Sequence, residues 1–156
     1  MIRIGLISDT HGLLRPEALS ALRGSDFIVH AGDIGPGVLE RLRTLAPVTA
    51  VRGNNDRGEA AGRLAEKEWL QVGEVVLHVL HDLADLDIDP NAAGVDVVVT
   101  GHSHRPLVER RSGTLFVNPG SAGPVRFRLP VTVGMLRVTG RAIEARIVEL
   151  ESLRVP

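Results

Sequence analysis

The chain is predicted to be an α/β protein, built as a single domain over residues 1–156. Two observations predict the class. The first third alternates short apolar runs with helical patterns in the order β-α-β-α-β, and two successive helix crossovers imply a parallel sheet. From residue 68 onward, apolar runs separated by glycine turns imply further strands. A third observation links fold to chemistry. A polar cluster follows each early strand, and ligands of open α/β sheets bind just outside the carboxyl ends of such strands.

Residues 2–7 are apolar at Ile2, Ile4, Leu6 and Ile7, too short for a helix, and read as a buried strand that ends in Asp9 and His11. At i, i+2 in extended backbone, those two side chains would project to the same side. Residues 15–22 read as a short helix, with Pro16 in its first turn and Gly24 beyond its end. A second apolar strand, 26–30, runs into Ala31-Gly32-Asp33. Residues 38–45 carry a helical apolar face, Pro47 follows, and a strand at 48–51 leads into Gly53-Asn-Asn-Asp56. Residues 57–63 are polar with two glycines and read as a loop. Runs 68–72 and 74–80, split by Gly73, form a predicted hairpin. Residues 89–94 read as a turn or short helical segment, and 95–100 as a buried strand delivering Gly101-His-Ser-His104. The remainder is β-rich at 107–111, 115–117, 131–138 and 142–150, with turns at Gly113 and Gly140.

Composition narrows the function. Lys and Arg number 18 against 19 Asp and Glu, a formal charge of -1, so no basic field exists to hold a nucleic-acid backbone and no stable nucleic-acid binding is expected. The absence of cysteine excludes thiolate metal sites and cysteine nucleophiles, leaving His, Asp, Glu and Asn as donors. No export signal opens the sequence, and no apolar run approaches the ~20 residues that span a bilayer, so a cytoplasmic location without membrane attachment is expected.

The polar residues at strand ends are Asp9, His11, Asp33, Asn54, His81, His102 and His104. They are too many for one tetrahedral site and suit two neighbouring cations that share a carboxylate. Such pairs, about 3.5–4 Å apart, are suited to in-line phosphoryl displacement. Each residue also has a plainer reading: a lone Asp after a strand is commonly a turn former, and Gly53-Asn-Asn-Asp56 could be only a turn. His30 and His78 lie at the end of or within apolar runs and read as hydrogen-bonded structural histidines.

Together, Asp9-Thr-His11, Gly32-Asp33, Gly53-Asn54, a histidine closing the mid-chain strand and Gly101-His-Ser-His104 resemble the motifs of the calcineurin-like metallophosphoesterases. The compact length is similar to their YfcE-like branch of small phosphodiesterases. The resemblance spans Asp9 to Ser121 and implies a four-layer α/β/β/α sandwich of two mixed sheets flanked by helices. It implies one metal held by Asp9, His11 and His104 and a second held by Asn54, His81 and His102, with Asp33 bridging. It also implies a bridging hydroxide as nucleophile, with Asp33, Asn54 and His102 in the catalytic role. The implied cofactor is two divalent ions, manganese first, with iron, nickel and zinc compatible with the same donors. Asn55, Arg105 and Ser121, the last in a closing loop Asn118-Pro-Gly-Ser121, are the expected substrate contacts.

Two departures shape the expected chemistry. Many relatives carry a leaving-group acid, a histidine, after the ligand asparagine; here Asn55 stands there, which favours leaving groups that need no proton. The mid-chain motif, often His-Gly-His, is His81-Asp82-Leu83. The expected activity is a phosphodiesterase acting on a small phosphate ester. The alternatives are a phosphomonoesterase acting on a phosphorylated metabolite, or a scaffold resembling the retromer subunit that shares the fold. Homo-oligomers are compatible with either.

Overall fold

The computed structural model describes residues 1–150. Five strands form the first sheet, in the order β10-β9-β1-β2-β3: β1 (Ile2–Ile7), β2 (Phe27–His30), β3 (Val48–Ala50), β9 (Thr132–Thr139) and β10 (Ala142–Glu149). Strands β1, β2 and β3 are parallel, as the two crossovers require, while β9 and β10 add an antiparallel edge. The second sheet runs β4-β5-β6-β8-β7, from β4 (Lys67–Val72), β5 (Val75–Leu80), β6 (Val97–Val99), β7 (Leu107–Arg111) and β8 (Thr114–Asn118). Its centre, β5-β6-β8, is parallel, and the hairpins β4-β5 and β7-β8 close its two edges.

Strand alternation sorts the core into layers. Ile4, Leu6, Leu77, Val79, Val97, Val99, Leu115 and Val117 point between the sheets and pack as one cluster. On the other face of the first sheet, Ile7 and Ile28 meet α1 (Pro16–Leu22) and α2 (Val38–Leu42) through Ala18, Leu22, Val38 and Leu42. Gly5 admits that contact: a Cβ there would stand 2.6 Å from Leu22 Cδ2. The outer face of the second sheet is covered more thinly. Leu80, Val98 and Phe116 lie under Leu83, Leu86 and Ile88, so the fourth layer is a single 3-10 turn, Leu83–Asp85, and the segment after it.

One expected loop is a helix: α3 (Gly58–Gly62) occupies residues read as irregular. Its two glycines weaken the helical pattern, but burial of Ala61 ties the turn to the body of the protein. No helix among the described residues is long and apolar enough to cross a membrane.

Candidate metal centre

The parallel strands of both sheets end at one edge. There β1 delivers Asp9 and His11, β2 delivers Asp33, β5 delivers His81, and β6 delivers His102 and His104. Backbone hydrogen bonds lock the loops together: Asp9 N–H to Gly32 O (3.0 Å), His11 N–H to Asp33 O (3.0 Å) and Gly101 N–H to His81 O (2.9 Å). The backbone of the first pair differs from the extended form read from the sequence. Asp9 and His11 have φ of 56° and 48°, and Asp33, His102 and His104 share this left-handed conformation. Such backbone costs of order 1–3 kcal/mol per residue and persists where the surroundings over-determine it. Here it gathers donors that a regular strand end would splay apart.

Two groups of donors converge. Asp9, His11 and His104 each offer an atom within 4.8 Å of the others, and so do Asp9, Asp33 and His81. Asp9 is buried, with Oδ2 accepting from Ser8 Oγ (2.6 Å) and the His102 backbone N–H (3.1 Å). Its other oxygen, Oδ1, has no hydrogen-bond partner and lies 3.4 Å from His104 Nε2 and 3.8 Å from His81 Nε2. Asp33 Oδ2 sits 3.3 Å from His81 Nε2 and 3.9 Å from His11 Nε2, between the two groups.

Protonation is constrained by the surroundings. The His81 Nδ1 lies 2.7 Å from the Ala31 carbonyl, which can only accept, so Nδ1 carries the hydrogen. Nε2 is then left facing two carboxylates, where a cation or a second proton must sit. Burial works against protonating His81, but Asp33 and Asp9 outweigh it and raise its pKa. Burial also opposes ionisation of Asp33, yet the neighbouring His81 ring and hydrogen bonds from Asn55 hold its carboxyl well below the usual carboxylate range. Burial lowers the pKa of His104 against the pull of Asp9, which favours the neutral imidazole that binds metals.

The remaining expected residues are placed as follows. Asn54 is exposed and lines a polar cavity of about 360 Å³ with His81, Lys67 and Asp82. His102 is 45% exposed, its ring edge-on to His81 and its Nε2 3.6 Å from Asp82 Oδ2. Asn55 faces Asp33: its backbone N–H and its side-chain Nδ2 donate to Oδ1 and Oδ2, both at 2.9 Å. Ser121, read as a substrate contact, is turned inward; it is buried and its hydroxyl donates to the Asp9 carbonyl at 3.2 Å. That orientation follows from the loop's docking, in which Ala122 N–H bonds Ser8 O. Arg105 is exposed at the rim.

Three supporting residues escaped the sequence reading or were left open by it. Ser8 fixes Asp9. Asn118 ties Gly101 O and Ser103 Oγ to the turn at Gly120. Asp56 accepts the backbone N–H groups of Asp33, Ile34 and Gly53, joining the loops that carry Asp33 and Asn54. Two of them had a signal: Asp56 is a carboxylate beside a candidate ligand, and Asn118 opens the closing loop. Glycines make room for this packing, since a Cβ on Gly53 would collide with Asp33 and one on Gly101 with Ser8. The histidines read as structural spend their ring nitrogens on other partners: His30, set against the donor loops, links Gly32 N–H to Thr10 Oγ1, and His78 bonds Glu68 O beneath Trp69.

Known proteins share both the sequence and the fold. The chain is 37% identical to a probable metallophosphoesterase of Methanothermobacter thermautotrophicus, over 93% of this chain and 91% of that protein. It is 33% identical to the phosphodiesterase YfcE of Escherichia coli K12, over 87% and 88%. The crystal structure of Chaetomium thermophilum Vps29 superimposes with a TM-score of 0.76 over 96% of this chain and 97% of that one, at 20% identity, a likeness of fold alone. Residues 2–141 match the calcineurin-like phosphoesterase superfamily domain, and the chain belongs to that family.

Proposed function

We propose that the protein is a phosphodiesterase that works with two divalent cations. Asp9, His11 and His104 hold one, His81, Asn54 and His102 hold the other, and Asp33 lies between them. The observation that carries this reading is a set of buried donors without partners: Asp9 Oδ1, His11 Nε2 and His81 Nε2. Leaving such groups unsatisfied costs about 1–3 kcal/mol each, which a bound cation removes. All are oxygen or nitrogen donors, a set that manganese fits and for which iron, nickel and zinc compete.

When bound, the cations supply Lewis acidity that lowers the pKa of water and draws charge from the phosphate oxygens. The chain's own residues set the geometry. Ser8 and the His102 amide hold one oxygen of Asp9, which commits the other to the site. The Ala31 carbonyl fixes the His81 tautomer so that Nε2 faces inward. Asn55 anchors both oxygens of Asp33 and has no proton to give a leaving group. Esters of acidic alcohols, whose leaving oxygen departs unprotonated, are therefore favoured.

The test uses purified protein with Mn²⁺ and bis-p-nitrophenyl phosphate, beside p-nitrophenyl phosphate and p-nitrophenyl phenylphosphonate. Hydrolysis above the Mn²⁺ blank, fastest on the diester and phosphonate, together with two equivalents of metal by elemental analysis, is the expected result. Failure of both hydrolysis and metal binding refutes the enzyme reading, while faster monoester hydrolysis reassigns the substrate class.

A further inference from the structure

A second cavity, of about 450 Å³, lies beside the metal centre, and its character is opposite to that of the polar one. Its walls are mostly apolar, from Ile34, Pro36, Leu39, Ala60, Ala61 and Leu64, and Glu40, Asp56 and Arg57 also line it. The volume lies within the roughly 300–1,000 Å³ of small-molecule sites. Asn55 joins it to the donors, since the residue that clamps Asp33 also lines this cavity. The wall at Ile34 and Pro36 is built on the ligand loop itself. Gly12 N–H bonds Ile34 O at 2.8 Å, and a Cβ on Gly12 would stand 3.3 Å from Pro36 Cδ. Asp56 braces the same wall by accepting Ile34 N–H at 2.8 Å.

The donor set is thus flanked by a polar cavity at His81 and an apolar one at Asn55. We propose that the apolar cavity receives the leaving group of the ester, an aryl- or enol-type alcohol that departs as its anion. The proposal rests on the phosphodiesterase reading. Its chemistry follows from two facts together. The lining offers apolar surface for a compact group, and the Asn55 amide beside it, which holds Asp33 through one N–H, is not an acid that could protonate a leaving oxygen. In the reaction a water oxygen bonds to phosphorus as the phosphorus–oxygen bond to the leaving group breaks. The bonding pair leaves on the aryl or enol oxygen, and the water protons pass to solvent and the product phosphate.

Ala60 lines the cavity and is exposed, so Ala60→Trp fills the space from the surface. Two measurements test the assignment. In metal-free wild-type protein, 4-nitrophenol is titrated and amide shifts are followed by NMR; they are expected at Ala60, Ala61 and Leu64. Under Mn²⁺, Ala60→Trp is expected to lower kcat/KM for bis-p-nitrophenyl phosphate about tenfold or more by excluding the ring, with Mn²⁺ affinity unchanged. Shifts confined to other surfaces, or wild-type kcat/KM in a folded Ala60→Trp, overturn the cavity's role and leave the phosphodiesterase reading standing. A wild type inert toward every diester overturns that reading instead, and the leaving-group role with it.

Discussion

Replacing Asn55 by alanine separates two roles for this residue. The substitution removes one charge-assisted hydrogen bond, from Nδ2 to Asp33 Oδ2 at 2.9 Å, and keeps the backbone N–H bond to Oδ1. A hydrogen bond to a charged group contributes about 1.5–3 kcal/mol. Asn55 is exposed, so water partly replaces the lost donor and the lower end applies. About 1.5 kcal/mol corresponds to roughly tenfold in an equilibrium constant. The expected result is a tenfold weaker Mn²⁺ affinity by calorimetry and a matching rise in the Mn²⁺ needed for half-maximal hydrolysis. At saturating Mn²⁺, KM for bis-p-nitrophenyl phosphate should stay close to that of wild type. The reverse pattern, unchanged metal affinity with a raised KM, would refute the clamp and return Asn55 to the substrate side.

Three further outcomes are expected. His78→Ala removes a buried ring tilted against Trp69, centroids 4.3 Å apart, and facing away from the donors; it should lower stability by about 1–3 kcal/mol in chemical denaturation while kcat/KM stays near wild type, and a large activity loss would contradict the placement. His30 is fully buried, and burial, with His81 adding to it, lowers its pKa from 6.5 to about 3. The unfolded chain therefore takes up this proton first, so stability is present above pH 6.5 and is lost as pH falls towards 3, by about 1.4 kcal/mol per unit. Denaturation curves for wild type and His30→Gln should converge as pH falls through that window; a pH-independent gap between them would count against it. Gly101→Ala drives a Cβ into Ser8 and to 2.8 Å from Asp9 Oδ2 and should weaken Mn²⁺ binding, whereas Gly62→Ala, with open space around it, should not; equal affinities would deny that the glycine shapes the site.

Short-range features carried most of the fold and the donor positions. An apolar run that stops at Asp9, Asp33 or His102 is visible within a few residues, because a buried strand end needs no distant partner to be recognised. Strand parity also separates the two mid-chain histidines. His78 shares the outward face of β5, and His81 lies just past its end. What was not legible depends on contacts made across the chain. Asn55 reaches Asp33 over 22 residues, and Ser121 reaches Asp9 over 112, so neither orientation is written in its neighbours. The left-handed backbone at Asp9, His11 and Asp33 is likewise enforced by pairing between loops 8–12 and 31–34. Helix α3 was missed because its glycines speak against a helix locally, while the burial that holds Ala61 is tertiary.

The donors come from both sheets: Asp9, His11 and Asp33 from the first, His81 and His104 from the second. A cation held among them would rivet the two halves of the sandwich at one edge, opposing their separation more than the melting of either sheet. By mass action its contribution grows with free metal, about 2.7 kcal/mol at a hundredfold excess over Kd. Metal uptake would then report the moment the sheets dock during refolding. In a cell, the lifetime of the folded chain would follow metal supply.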